Sequence, residues 1–297
     1  MKEECQMSAL SDQIRKMFGE GDAKRDAGLK TPDDIIRYDD IRYGTDDGKL
    51  QLLDVYRPKG KEGKLPVILS VHGGGWVYGD KDVYQFYCMS LAQRGFAVVN
   101  YSYRLAPEYK FPASLEDTCT VGAWMLANAE TYGFDMEHVY GVGDSAGGHM
   151  LTIFAAALTN PDYAAELGIR LPTGFRFNAV ALNCGAYKIE LSAQDMTTGL
   201  MGDFLPGKDL DAELKLINPV EWITEDFPPA FVMTSTNDFL KGQPAVLVPV
   251  LMDNDIPFMY RYYSDKENPI GHVFHCNIRL SAAKLCNDEE CDFFRKY

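Results

Sequence analysis

Ser145 lies in Gly143-Asp144-Ser145-Ala146-Gly147-Gly148, between the apolar run Val139-Tyr140-Gly141-Val142 and a helix-like stretch from His149 to Leu158. A serine at the apex of a sharp strand-to-helix turn is exposed, and small flanking residues let strand and helix pass closely. Its hydroxyl becomes an effective nucleophile only when a base takes its proton and a third group orients that base. The chain holds five histidines. His72 belongs to a glycine loop, His138 precedes a strand in an exposed turn, and His149 follows Ser145 by one turn and points away. His272 and His275, both just after the last strand-like run, can face Ser145 from across a site. His272 is preferred because it follows Gly271 in the loop, whereas His275 is already entering a helix. Of the downstream carboxylates Asp226, Asp238, Asp253, Asp255 and Asp265, Asp238 alone directly follows a buried strand run.

A second segment supports acyl-transfer chemistry. His72-Gly73-Gly74-Gly75-Trp76 comes directly after Leu65-Pro66-Val67-Ile68-Leu69-Ser70-Val71, the continuous apolar run of a strand buried on both faces. Successive glycines let backbone amides approach a ligand with no side chain in the way. Two such amides, with the amide after the nucleophile, can surround the negative charge that develops on a carbonyl oxygen.

Positioning these groups requires alternating strands and helices. A helix over Val83–Gln93 precedes a second buried strand, Phe96–Tyr101, and a long helix runs through Asn128. Asn178–Cys184, Ala230–Thr234 and Phe258–Tyr263 supply further strands, and a terminal helix runs from about Cys276 to Phe294. This order predicts an α/β fold with a mainly parallel sheet and helices on both faces, its ligands at the C-terminal ends of the strands. Arg104 and Glu108 read as ties within the loop after the second buried strand. Upstream, Ser8 to Ile36 reads as helical in two pieces broken at Gly19-Glu20-Gly21, with Thr31-Pro32-Asp33-Asp34 as a helix start. Asp46-Asp47-Gly48 is a hairpin signal. The stretch from Leu191 to Trp222 has no strand pattern and fits a helical insertion over the strand ends, at about residues 190–225.

The 297 residues, with 46% hydrophobic content, suffice for one domain with a large core. A net charge of −14 disfavours nucleic acid and anionic membranes as partners and suits an uncharged or cationic small substrate. The N-terminus lacks the basic start and apolar run of a signal peptide, so a cytoplasmic protein is expected. The seven cysteines are scattered, without paired metal-ligand spacing, and read as reduced thiols; Cys286 and Cys291 fall together on the terminal helix. No Gly-rich phosphate loop is apparent, and neither a metal nor another cofactor is expected.

Together these motifs resemble the hormone-sensitive-lipase-like carboxylesterases of the α/β-hydrolase superfamily, from about Leu53 to the C-terminus. The resemblance rests on His72–Trp76, on Tyr103-Arg104-Leu105-Ala106-Pro107-Glu108 with Phe111-Pro112-Ala113, on Gly143–Gly148, and on Asp238 and His272. It implies an α/β-hydrolase fold with a small helical cap, a Ser145, Asp238, His272 triad, and an oxyanion hole from the amides of Gly74, Gly75 and Ala146. It also implies hydrolysis of short acyl esters, acetyl to butyryl, through an acyl-enzyme. Two positions depart from the family pattern: Asp238-Phe239-Leu240 stands where Asp-Pro-Leu is usual, and His272-Val273-Phe274 where His-Gly-Phe is usual. Trp76, Tyr78 and Tyr187 are expected as walls of the acyl and alcohol pockets. An amidase or formamidase on the same triad, and a non-catalytic binding protein on the same fold, are the alternatives. A homo-oligomer is compatible with the sequence.

Overall fold

The computed structural model describes residues 8–45, 48–191 and 195–297. Eight strands form one sheet in the order β1-β2-β4-β3-β5-β6-β7-β8. They are β1 (Ile35–Arg42), β2 (Leu52–Pro58), β3 (Leu65–Val71), β4 (Ala97–Tyr101), β5 (Phe134–Asp144), β6 (Ala179–Asn183), β7 (Ala230–Ser235) and β8 (Phe258–Tyr263). β2 is antiparallel to both β1 and β4, and the pairings from β4 through β8 are parallel. Parallel neighbours need crossover segments, and the helices α2 (Lys81–Ala92), α3 (Ala113–Tyr132), α4 (Ala146–Thr159) and α8 (Pro244–Asp253) supply them.

The central strands are apolar throughout because both faces are covered. In β3, Val67, Leu69 and Val71 pack with Leu115 of α3 and Leu151 of α4, while Ile68 faces the other way, into the cluster with Met89 of α2 and Phe294 of α9 (Ser281–Phe294). The edge strand β8 has water on one side, and Tyr260 and Tyr262 stand exposed there. No helix among the described residues is long and apolar enough to cross a membrane.

Several local expectations are corrected. The N-terminal segment is one continuous helix, α1 (Ala9–Asp26), capped by the Ser8 side chain, with no break at Gly19-Glu20-Gly21. A glycine inside a helix costs about 1 kcal/mol, and tertiary contacts offset it here. Arg15 reaches Glu108 and the Val77 carbonyl, the Phe18 ring packs edge-on to Tyr78, and Asp203 accepts hydrogen bonds from Ser8 and Ser11. Thr31-Pro32-Asp33-Asp34 starts no helix: it turns directly into β1, where Ile35 and Ile36 pair with β2. The terminal helix begins at Ser281 rather than near Cys276, and Phe274–Cys276 forms one separate 3-10 turn. The hairpin tip at Asp46-Asp47 lies outside the described residues, although β1 and β2 pair as a hairpin requires. In the stretch without strand pattern stand α6 (Met196–Phe204) and α7 (Leu210–Ile217), and α6 packs against α1. The remaining helix is α5 (Pro161–Leu167), directly after α4.

Candidate active site

Ser145 occupies the turn between β5 and α4 with φ 52° and ψ −119°, a left-handed conformation that costs a non-glycine residue about 1–3 kcal/mol. The close passage of strand and helix is why small residues flank it. A Cβ on Gly147 would stand 2.1 Å from the Val71 carbonyl oxygen, and one on Gly143 would stand 2.6 Å from that of Gly147. Backbone bonds lock the apex: Ser145 N–H donates to Asn183 O at 3.0 Å, and His149 N–H donates to Ser145 O at 3.0 Å.

Asp238 and His272 meet at the ends of β7 and β8. His272 Nδ1 lies 2.6 Å from Asp238 Oδ1, and the carboxylate also accepts from the Thr234 hydroxyl at 2.7 Å and the Leu240 amide at 2.8 Å. The two loops are joined by Asn237 N–H to Ile270 O and by the Ser235 hydroxyl, which donates to the carbonyls of Ile270 and Gly271. Burial alone would raise the Asp238 carboxyl, but the His272 hydrogen bond and charge outweigh it and hold it below the usual carboxylate range. With Nδ1 as donor to Asp238, Nε2 of His272 is the acceptor nitrogen.

Two cavities meet at Ser145. The larger, about 290 Å³, is lined by Ser145 and His272 with Gly74, Met17, Tyr78 and Phe239. The smaller, about 20 Å³, is lined by Ser145, Ala146, Gly75, Trp76, Leu200 and Phe239. The glycine loop rims both. Gly74 has φ 118° and Gly75 φ 62°, and the Gly74 carbonyl closes a tight turn by accepting from Val77 N–H and Tyr78 N–H. Neither amide of Gly74 or Gly75 bonds to another described residue. The loop is fixed from behind: Gly73 N–H donates to the Tyr84 oxygen, and Tyr84 O–H donates to Asp144 Oδ2 at 2.7 Å. The His72 ring stacks on Tyr103, 3.9 Å between centroids, while the Tyr103 hydroxyl donates to the His72 carbonyl.

The structure therefore gathers Ser145, His272, Asp238, Gly74, Gly75, Ala146, Trp76 and Tyr78 into one place. Tyr187 is the exception. It is fully buried, its hydroxyl donates to Leu182 O at 3.0 Å, its amide donates to Gln243 Oε1, and it lines neither cavity. The turn after β6 folds its ring back over Gly185, so this aromatic at a strand end belongs to the core. Arg104 and Glu108 are not partners of each other: Arg104 binds Asp117 and Glu116, and Glu108 binds Arg15 of α1.

The other candidate histidines are otherwise engaged. His149 accepts from Trp76 Nε1 at 3.1 Å and donates from Nε2 to Ile217 O at 2.6 Å, and burial pulls its pKa down to about 4. His275 is buried, with its pKa lowered to about 3 by desolvation, and no carboxylate among the described residues bonds to it. Sequence patterns did not reveal Met17 and Phe18 of α1 as cavity walls, nor Phe239, nor Asp144 behind the glycine loop. The amphipathic spacing of Ile14, Met17 and Phe18 was the available signal for the first two.

Among the described residues, two sets of donor atoms lie within 4.8 Å of one another, Asp144 with His275 and Cys276, and Cys184 with Asp238 and His272. Burial raises both thiols well above their usual range. All six described cysteines are free thiols, and Cys286 and Cys291 both lie in α9.

The BD-FAE family model matches residues 53–241. Versiconal hemiacetal acetate esterase of Dothistroma septosporum is 30% identical over 227 residues, covering 70% of this chain and 67% of that protein. Ethyl acetate hydrolase of Pseudomonas putida is 36% identical over 156 residues, covering 51% of this chain and 48% of that enzyme, so the match spans about half of that relative's length. Esterase B of Lactobacillus rhamnosis superposes with a TM-score of 0.88 at 26% identity, over 97% of this chain and 96% of that one. With its elbow serine, its glycine loop and a histidine backed by a carboxylate, the chain belongs to the BD-FAE family, among the hormone-sensitive-lipase-like carboxylesterases of the α/β-hydrolase fold.

Proposed function

We propose that this protein is a serine carboxylesterase that hydrolyses small, uncharged esters of short acids, acetyl to butyryl, through an acyl-enzyme. The observation that carries the reading is the opening of Ser145 and the Asp238-backed His272 onto one cavity. In this mechanism Nε2 of His272 takes the Ser145 proton as Oγ attacks the ester carbonyl carbon. Asp238, ionised, holds the imidazole in the required tautomer and balances the imidazolium that forms. The amides of Gly74, Gly75 and Ala146 receive the oxyanion, and no reorganisation is needed because the loop is already braced by Tyr84 and Tyr103. The carbon–oxygen bond to the alcohol breaks as its oxygen takes the proton from His272. Water, deprotonated by the same nitrogen, then releases the acid.

The size of the cavity beside Ala146 and Trp76 favours a short acyl group. Two relatives named for acetate esters point the same way. We further read α6 and α7 as a cap over the strand ends, with α1 as a second cover. The test is turnover of an aryl ester series from acetyl to octanoyl, with Ser145→Ala as control. Activity is expected to fall off beyond butyryl and to drop by roughly a million-fold in the variant. Full activity in Ser145→Ala would sink the proposal.

A further inference from the structure

The two cavities at Ser145 are not interchangeable, and His272 tells them apart. In a serine hydrolase the base returns its proton to the departing oxygen, so the leaving group must lie where His272 can reach it. His272 lines the larger cavity and not the smaller. The smaller cavity instead holds Ala146, whose amide follows the nucleophile, and closes on Trp76 and Leu200. Its volume of about 20 Å³ is little more than one water molecule needs, so acetyl fits best and the propyl chain of butyryl marks the upper limit. The larger has about 290 Å³, whereas a cavity of about 150 Å³ already accepts benzene.

The walls of the larger cavity suit a ring. Phe239 is 55% exposed, and its ring sits 4.3 Å from the His272 imidazole centroid. Phe18 and Tyr78 form a second aromatic wall, with their rings edge-on to each other at 5.9 Å. Phe18 and Phe239 also line the smaller cavity, so both stand at the junction where the ester would lie. A ring bound there would cover the exposed face of Phe239 and gain the preference of aromatic pairs for offset or edge-on contact.

Resting on the esterase reading above, we infer that the larger cavity takes the alcohol half, that the preferred substrates are acetate esters of ring-bearing alcohols, and that Phe239 sets this preference. The acyl half is limited separately, by Leu200 and Met196 at the small cavity.

The experiment measures kcat/KM for ethyl, n-hexyl and benzyl acetate, whose alcohols differ little in acidity, and for benzyl butyrate and hexanoate. Benzyl acetate is expected to exceed ethyl acetate by about tenfold or more, and n-hexyl acetate as well. Phe239→Ala should cut the benzyl-to-ethyl ratio by about tenfold and move the hexanoate-to-acetate ratio much less, because Phe239 borders the small cavity only where it joins the larger. A ratio of two substrates on one enzyme cancels any change that losing Phe239 makes to His272 itself. Leu200→Ala should do the reverse and raise the hexanoate-to-acetate ratio. Met196→Ala, at a less buried position on the same wall, tests the same point should the Leu200 variant not fold. No advantage of benzyl over ethyl or hexyl, or a Phe239 variant that shifts acyl-length preference instead, would overturn the inference while leaving the esterase reading intact. Ester turnover that does not depend on Ser145 would overturn that reading itself.

Discussion

Two pairs of a carboxyl and an imidazole lie near Ser145, and they have opposite electrostatics. Asp238 and His272 share a 2.6 Å hydrogen bond, and His272 keeps 17% of its side chain exposed. Asp144 and His275 also lie within 4.8 Å of each other, yet both are buried and no hydrogen bond joins them. Burial raises the Asp144 carboxyl to about 7, against the weaker opposing pull of the Tyr84 hydrogen bond, and lowers His275 to about 3. Near neutral pH Asp238 therefore carries its charge, whereas in the second pair the imidazole is neutral and the carboxyl keeps its proton to a higher pH than an exposed one. Proximity of acid and base does not make a proton relay; a direct bond and one exposed nitrogen do.

The sharpest way to break this comparison is to replace each histidine. His272→Gln should lower kcat by roughly five to six orders of magnitude, as loss of a triad base does. His275→Gln should stay within about tenfold per folded molecule, with the folded fraction measured by circular dichroism alongside. Equal losses would mean that His275 takes part in the chemistry. The carboxylates give the next largest contrast. Asp238→Asn should cost about ten-thousand-fold because the wrong imidazole tautomer is then favoured. Asp144→Asn, close in shape to the protonated acid, should cost less than about tenfold.

The smallest effect concerns stability and pH. Glu290 is another buried carboxyl, held by Tyr87 O–H at 2.9 Å and Asn183 Nδ2 at 2.6 Å. Burial raises it to about 7 from an ordinary 4.5, more than those two donors can offset. The folded state thus binds this proton more tightly than the unfolded chain. Its contribution is most favourable below pH 4.5 and declines as pH rises through 7, by an amount on the order of 3 kcal/mol. Glu290→Gln should flatten that slope in urea unfolding measured between pH 5 and 8. An unchanged slope would show that Glu290 ionises freely in the fold.

The site was legible in the sequence wherever chemistry demands a particular residue in a particular backbone setting. Ser145 needs small neighbours, the oxyanion loop needs glycines, and Asp238 and His272 follow strands whose apolar runs are plain. The choice between His272 and His275 rested on local spacing, and the 3-10 turn at Phe274–Cys276 shows why that was informative: it carries His275 into the interior. Tyr187 was misjudged because a strand end states where a residue starts and not which way its turn throws the ring. The course of α1 was hidden for a related reason. Two internal glycines argue against a helix locally, and what outweighs them, Asp203 gripping Ser8 and Ser11 and Glu108 gripping Arg15, comes from residues far along the chain. Such long-range contacts leave no periodic signal.

The cavity is built from segments far apart in the chain: Phe18 walls it from the first described helix, and His272 lines it from the loop before the last. During synthesis the elbow at Ser145 is made well before its base. A ribosome-bound chain that has not reached residue 272 carries the serine, the glycine loop and even Asp238, and still lacks His272, the acceptor proposed for the serine proton. The order of manufacture thus keeps Ser145 without its proposed base until residue 272 has been made.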